Sequence, residues 1–377
     1  MKAFHFLILA LIFTNIKEIN SHKCGADKIN ITPKPLTKIS KKERNLAKSD
    51  TYTPISIGYD FSTFIKPDII KESAFSELKS ILKETREEFS KLLQIIHKEI
   101  DLTDRKYDIM DSCRLDVIGK DYKNFLIRND LIIFPIITSQ FGTSVAAAAS
   151  TCLTDPDTNR PLMGILYIFN ILDEWKKNWR TDMKYTIFHE ITHVLGFSMS
   201  FFPSLNMVKK EGSIYYINSP KVLEQAKKHF GCGNLPHGGV PLENQGGSGS
   251  AGSHWEGRYM FGENMNMELT SEAALSDITL ALLEDTGFYK VNYFSGGLFK
   301  FGKNKGCEFF SKQCVENDTA NFEEFCDVPK EPKCSSATRN SKSSCYLKYE
   351  SFNIPYNYFT NSSLVGIYYA NFCPVST

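Results

Sequence analysis

An excess of charge of either sign is missing from this chain of 377 residues: 44 basic side chains stand against 43 acidic ones, for a net charge of +1. A near-zero balance leaves no electrostatic footprint for nucleic acid or for an anionic membrane surface. Long apolar runs are also missing. After the first 13 residues no stretch approaches the roughly 20 apolar residues that a bilayer-spanning helix needs. The last residues, Asn371-Phe372-Cys373-Pro374-Val375-Ser376-Thr377, are polar and lack the apolar tail of a glycolipid-anchor signal. No Cys-x-x-Cys pair occurs, which argues against a cysteine-based zinc ribbon. Internal repeats are absent, so a solenoid is not expected.

What is present points to a secreted globular protein. Apolar residues make up 42% and charged residues 23% of the chain, ordinary values for a packed core, and the length allows two or three lobes. Lys2 precedes the short apolar run Phe4–Phe13, the pattern of a secretory signal peptide over residues 1–20. The ten cysteines are an even number, five of them crowded into 307–345. In a secreted chain they imply disulfides. Sequons at Asn30, Asn317 and Asn361 fit glycosylation on exposed loops. Secretion to the extracellular space is therefore expected, with attachment to the cell surface left open.

Residues 21–52 are polar and basic and contain Pro33 and Pro35, so they read as a propeptide or flexible arm. Ile55–Tyr59 alternates like a strand. Apolar positions Phe75, Leu78, Ile81, Leu82, Phe89, Leu92, Leu93 and Ile96 recur every three or four residues and predict a long amphipathic helix over 68–99. Strands are expected at 131–137, with Pro135 marking an edge or a break, and at 164–169. A helix over 182–195 buries Ile187, Ile191, Val194 and Leu195 and stops at Gly196. The stretch 197–253 reads as mostly irregular and closes on a glycine-serine run. Another helix is expected over 276–286, capped by Ser276 and ended by Gly287. Mixed helices and strands of this kind make an α+β protein. The boundaries are a signal peptide 1–20, a propeptide-like segment 21–52, an N-terminal catalytic lobe 53–196, an insertion and second catalytic lobe 197–305, and a Cys-rich region 306–377.

The chemistry sits on the middle helix. His189-Glu190-Ile191-Thr192-His193 places two imidazoles one turn apart on one helix face, where both reach a single zinc ion. Glu190 is rotated around the helix and reaches a water rather than the metal. A catalytic zinc needs three protein ligands and an open position, and the third must be found among the other histidines. His5 and His22 fall in or beside the signal peptide, and His97 reads as solvated on the long helix. His229 follows two lysines, and His237 precedes two glycines; both look like surface residues. His254 follows the flexible glycine run, precedes Trp255, and has Met265 11 residues beyond it; it ranks first. The compact metzincin pattern would put the third histidine at position 199, which is Met199, so the ligand arrives after an insertion.

The run His189–Ser198, the segment Gly252-Ser253-His254-Trp255-Glu256, the tripeptide Glu263-Asn264-Met265 and the stretch Leu275–Tyr293 together resemble leishmanolysin-type peptidases, which are metzincins. The resemblance covers most of residues 53–305. It implies a metzincin-type catalytic domain whose zinc cleft lies between an N-terminal α/β lobe and a more irregular C-terminal lobe, followed by a small disulfide-stabilised tail. It implies one Zn2+ per chain on His189, His193 and His254, with Glu190 as general base and Met265 in the methionine turn beneath the ligands, where Met267 competes for that place. Cys24 is similar to the family's propeptide cysteine, which caps the zinc as a thiolate; an ordinary disulfide is its alternative. If Cys24 is on zinc, nine cysteines remain and one has no partner. A Cys113–Cys152 disulfide is implied in the N-terminal lobe. The implied function is a secreted zinc metalloendopeptidase acting on proteins or peptides as a monomer. The alternative is a catalytically weak scaffold serving in adhesion or binding, in which Glu190 would have no task.

Overall fold

The computed structural model of the chain describes residues 22–24, 29, 31–36, 48–68, 70–138, 145–169, 178–247, 251–270, 272–293, 298–349 and 356–376. Its elements in chain order are β1 (His22–Cys24), β2 (Lys34–Pro35), β3 (Lys48–Pro54), β4 (Ile57–Tyr59), α1 (Glu72–Leu92), β5 (Leu93–Lys98), α2 (Lys106–Cys113), α3 (Phe125–Arg128), β6 (Leu131–Ile137), β7 (Val145–Thr154), β8 (Pro161–Ile168) and α4 (Trp179–Val194). There follow β9 (Val208–Glu211), β10 (Ile214–Ile217), α5 (Pro220–Phe230), β11 (Val240–Pro241), α6 (Gly257–Met260), β12 (Glu268–Leu269) and α7 (Asp277–Asp285), and beyond residue 285 only short strands and short helices among the described residues. The fold is α+β. Among the described residues no helix is long and apolar enough to cross a membrane.

A seven-stranded sheet runs in the order β12-β1-β7-β8-β6-β4, with β2 also paired to β7. Strands β4, β6 and β8 are mutually parallel, and β7 is antiparallel to β8. The leading segment enters this sheet. Lys23 and Cys24 of β1 lie parallel to Val145 and Ala147 of β7, while His22 and Lys23 face Leu269 and Glu268 of β12 in antiparallel register. The segment read from sequence as a flexible arm is thus pinned at several points, because strand pairing uses backbone groups that even a polar sequence supplies.

Three expectations change. The helix expected over 68–99 ends at Leu92, and β5 begins at the next residue, with Leu93 already extended at φ −120°. The β-branched pair Ile95-Ile96 favours a strand, and β5 pairs with β3. His97 therefore sits on a strand and not on a solvated helix face, with its Nδ1 2.7 Å from Asp130 Oδ1. Strand β6 is internal rather than at an edge. Its Pro135 lies beyond Tyr59, the last residue of β4, and the Pro135 carbonyl accepts a hydrogen bond from Thr63 Oγ1 at 2.9 Å. The missing N–H therefore faces a place where no ladder partner runs.

Helix α4 lies on β7 and β8 and against α1. Its residues from Thr186 to Val194 are all buried. Two features permit the approach. Alanines 146–149 of β7 are small and buried, and Gly164 of β8 faces Val194 so closely that a Cβ there would come within 2.4 Å of the valine. Phe188 of α4 stacks on Phe89 of α1 at 4.2 Å. The stretch 197–253 is less irregular than expected: it holds the β9–β10 hairpin and α5. Helix α5 is started by Asp285, whose carboxylate accepts the backbone N–H groups of Lys221 and Val222 at 2.9 and 3.0 Å. Four disulfides join Cys113–Cys152, Cys232–Cys307, Cys314–Cys373 and Cys326–Cys345.

Candidate metal centre

The turn after α4 aims the second motif histidine. Gly196 adopts φ +127°, in the region that favours glycine, and the chain reverses. Phe197 then offers its carbonyl to His193 Nδ1 at 2.7 Å. The first motif histidine is held from elsewhere: His189 Nδ1 lies 2.5 Å from the carbonyl oxygen of Asn264. In both rings Nδ1–H is the donor, so the Nε2 lone pair is left for another task. His254 closes the group. Its Nε2 lies 3.2 Å from His193 Nε2 and 3.3 Å from His189 Nε2, and the motif pair are 3.0 Å apart.

Cys24 of β1 completes a quartet. Its Sγ is 3.6 Å from His193 Nε2, and the four ligand atoms all lie within 4.8 Å of one another. Tetrahedral zinc at ordinary bond lengths sets nitrogen pairs about 3.3 Å apart and a sulfur–nitrogen pair about 3.6 Å apart. The donor set therefore fits a zinc ion. Neutral imidazole lone pairs at such distances repel one another unless a cation lies between them. All four residues are buried. Burial pushes His193 down to about 4 and holds His189 well below its ordinary value, where the neighbouring His193 and His254 add to the effect. Both rings are thus kept neutral, as metal ligation requires.

Glu190 is fully buried beside this group, with the Cys24 thiol and the Ala149 amide close to its carboxylate but no hydrogen bond of ordinary geometry to it. Burial pushes its carboxyl up to about 8, opposed by the Cys24 thiol and the Ala149 amide. Without a metal the carboxyl is thus held mostly protonated near neutral pH, and a cation held by the neighbouring histidines would favour the carboxylate that a general base needs.

The remaining candidates divide. Met265 and Met267 are both buried. Met265 belongs to the turn that carries the Asn264 carbonyl, whereas Met267 leads into β12. His237 is exposed and bonds Glu211 at 2.6 Å. His229, read as a surface residue, is half-buried: its Nε2 donates to the Phe301 carbonyl at 2.8 Å and its ring stacks on Phe299. Asn317 and Asn361 are exposed in turns, and Asn30 lies outside the described residues. The carbonyls of Asn264 and Phe197 that fix the two motif imidazoles have no counterpart in the sequence reading, since a backbone oxygen leaves no mark in side-chain pattern. Cys24 and Cys334 stand outside the four disulfides.

Comparison with known proteins agrees with this chemistry. The family model for leishmanolysin matches residues 79–377. A leishmanolysin homolog of Crithidia fasciculata is 30% identical over 274 residues, which cover 69% of this chain and 41% of the relative. Leishmanolysin of Leishmania major is 31% identical over 249 residues, 61% of this chain and 39% of the relative. A leishmanolysin-like peptidase of Drosophila melanogaster is 29% identical over 276 residues, 59% of this chain and 40% of the relative. The chain thus matches about two fifths of the length of these relatives.

Proposed function

Because the chain belongs to the leishmanolysin family, we propose that it is a secreted zinc metalloendopeptidase that hydrolyses peptide bonds in proteins. The observation that carries this reading is the convergence of His189, His193 and His254 Nε2 at 3.0–3.3 Å beside the buried carboxylate of Glu190. The three histidines would hold one zinc ion. When bound, zinc supplies a Lewis acid that polarises the scissile carbonyl and brings a water's pKa towards about 7. Glu190 takes a proton from the attacking water on a carboxylate oxygen and delivers it to the leaving amine nitrogen. Asn264 and Phe197 hold the imidazoles in the Nδ1–H tautomer throughout. Met265 packs under the ligands as the methionine turn.

Residues 1–20 act as a signal peptide, and 21–52 as a propeptide whose Cys24 thiolate takes the fourth ligand position and keeps the precursor latent. The 3.6 Å approach of its sulfur to His193 supports this reading. Residues 53–196 and 197–305 form the two catalytic lobes, and 306–377 the Cys-rich region, supported by the Cys314–Cys373 and Cys326–Cys345 bridges within it. Secretion is supported by the disulfides and by exposed sequons at Asn317 and Asn361. The enzyme acts as a monomer.

The test is zinc content together with casein cleavage by secreted protein whose propeptide has been removed, beside Glu190→Gln. We expect one zinc per chain in both, with cleavage lowered at least about 100-fold in the variant. A fully active Glu190→Gln protein would sink the assignment of the base. Zinc without cleavage in the trimmed wild type would leave only the binding-protein reading.

A further inference from the structure

Glu263 is fully buried and lies two residues before Met265. Its Oε1 accepts three hydrogen bonds: from the Ser276 N–H at 2.9 Å, the Ser276 hydroxyl at 2.9 Å and the Thr279 hydroxyl at 2.6 Å. Its Oε2 accepts the backbone N–H of Met265. All four donors point inward, so the position needs a group that only accepts, and an ionised carboxylate is the side chain that does so.

The contacts continue in two directions. The Thr279 hydroxyl spends its one proton on Glu263 and accepts from Trp255 Nε1 at 2.8 Å. Trp255 follows His254 directly, and its backbone N–H donates to the Met265 carbonyl at 3.0 Å. On the other side, Asn264 follows Glu263, its N–H is held by the Ala274 carbonyl at 2.9 Å, and its own carbonyl faces His189 Nδ1. Two of the three metal-ligating histidines therefore hang from one carboxylate. His189 is reached through the turn that Glu263 closes, and His254 through Thr279 and Trp255.

We infer that Glu263 is a positioning residue for the metal centre: it ties the first turn of α7 to the methionine turn and so sets where His189 and His254 present Nε2. This rests on the zinc reading above. Glu263 touches neither metal nor substrate. Groups that orient metal ligands from behind typically contribute about 10- to 100-fold to metal affinity. In Glu263→Gln the shape is kept, but the new NH2 group faces either the Met265 N–H or the Ser276 and Thr279 hydroxyls, donor against donor.

The experiment compares full-length wild type, Glu263→Gln and Thr279→Val. Zinc affinity is read by competition with a chromophoric chelator, ligand geometry by the visible spectrum of the cobalt-substituted protein, and fold by the melting midpoint of the metal-free protein. We expect Glu263→Gln to weaken zinc binding by about 10- to 100-fold and to change the cobalt bands. Thr279→Val, nearly isosteric, should move both readouts in the same direction by a smaller factor. Wild-type zinc affinity and cobalt spectrum in Glu263→Gln, even with a lowered melting midpoint, overturn the inference and leave a purely structural carboxylate. If Glu263→Gln does not fold, Thr279→Val decides by the same two readouts. A wild type that binds no zinc sinks the metal reading itself, whereas equal zinc binding by wild type and variants sinks only the role of Glu263.

Discussion

A neutral imidazole has one ring lone pair to offer a metal, and the hydrogen bond made by the other nitrogen decides where it points. In this protein the decision is made by backbone: the Asn264 carbonyl for His189 and the Phe197 carbonyl for His193. The motif His189–His193 was legible because its spacing alone implies shared ligation. The backbone oxygens were not, since their positions depend on where turns fall. His254 emerged by elimination, from its place after a glycine-serine run and before Trp255, with Met265 beyond. Cys24 stood between two roles in sequence; the fold sets its sulfur against His193. Replacing Cys24 with Ala should raise casein cleavage by the intact precursor towards that of protein trimmed near residue 50. Equal cleavage by intact and trimmed wild type would show that the thiol restrains nothing.

Helix α4 can carry ligands to a fixed point because its end is clamped on both sides. Gly164 lets Val194 lie against β8, and the Thr151 hydroxyl of β7 donates to the Val194 carbonyl at 2.8 Å. A methyl group at 164 has no room, and overpacking of this kind costs about 1–3 kcal/mol. Gly164→Ala should therefore lower the urea midpoint and also lower zinc occupancy, since His193 adjoins Val194. Gly233→Ala, where an added Cβ meets nothing within 4 Å, should leave both unchanged. Equal effects of the two substitutions would remove the packing argument. Some elements were readable in sequence for local reasons: strand β6 over 131–137, and α7 with its Ser276 cap, whose hydroxyl accepts the Thr279 N–H at 3.1 Å. Others depended on tertiary partners. The end of α1 is set by β5 pairing with β3, while the apolar spacing itself runs on without a break through Ile96. Strand β7 went unrecognised because its alanines disfavour a strand in isolation; it is α4 and β1, pressed close, that make small residues the right choice there.

At the scale of the molecule, the cysteine arithmetic closes. With Cys24 facing the histidines, nine remain, and the odd one is Cys334, exposed while four bridges take the rest. The Cys232–Cys307 bridge ties the region around α5 to the start of the C-terminal region, close to where His229 is held against Phe299 and Phe301. Burial pushes His229 from 6.5 down to about 4. The folded chain thus takes up this proton less readily than the unfolded chain. The associated stability is complete above about pH 6.5 and is lost as pH falls towards 4, on the order of 3 kcal/mol by pH 4. His189 and His193 shift in the same direction, so the informative comparison is His229→Gln, whose melting midpoint should fall less between pH 7 and pH 4.5 than that of the wild type. Parallel slopes would show that His229 carries none of the acid sensitivity.

Strand β1 lies in the interior of its sheet, between β7 and β12, and this has a consequence for what its departure leaves behind. Withdrawing an interior strand opens a gap two ladder spacings wide, about 9.5 Å, bordered on each side by a row of unsatisfied amide and carbonyl groups. Such a gap admits one extended polypeptide and little else, because only another backbone answers both borders at once. Register does the rest. Side chains alternate faces along a strand, so a guest that slips by one residue turns its side chains to the opposite side of the sheet. The leading segment shows the form such an occupant takes: three residues, His22–Cys24, between two borders, with the Cys24 sulfur set against His193.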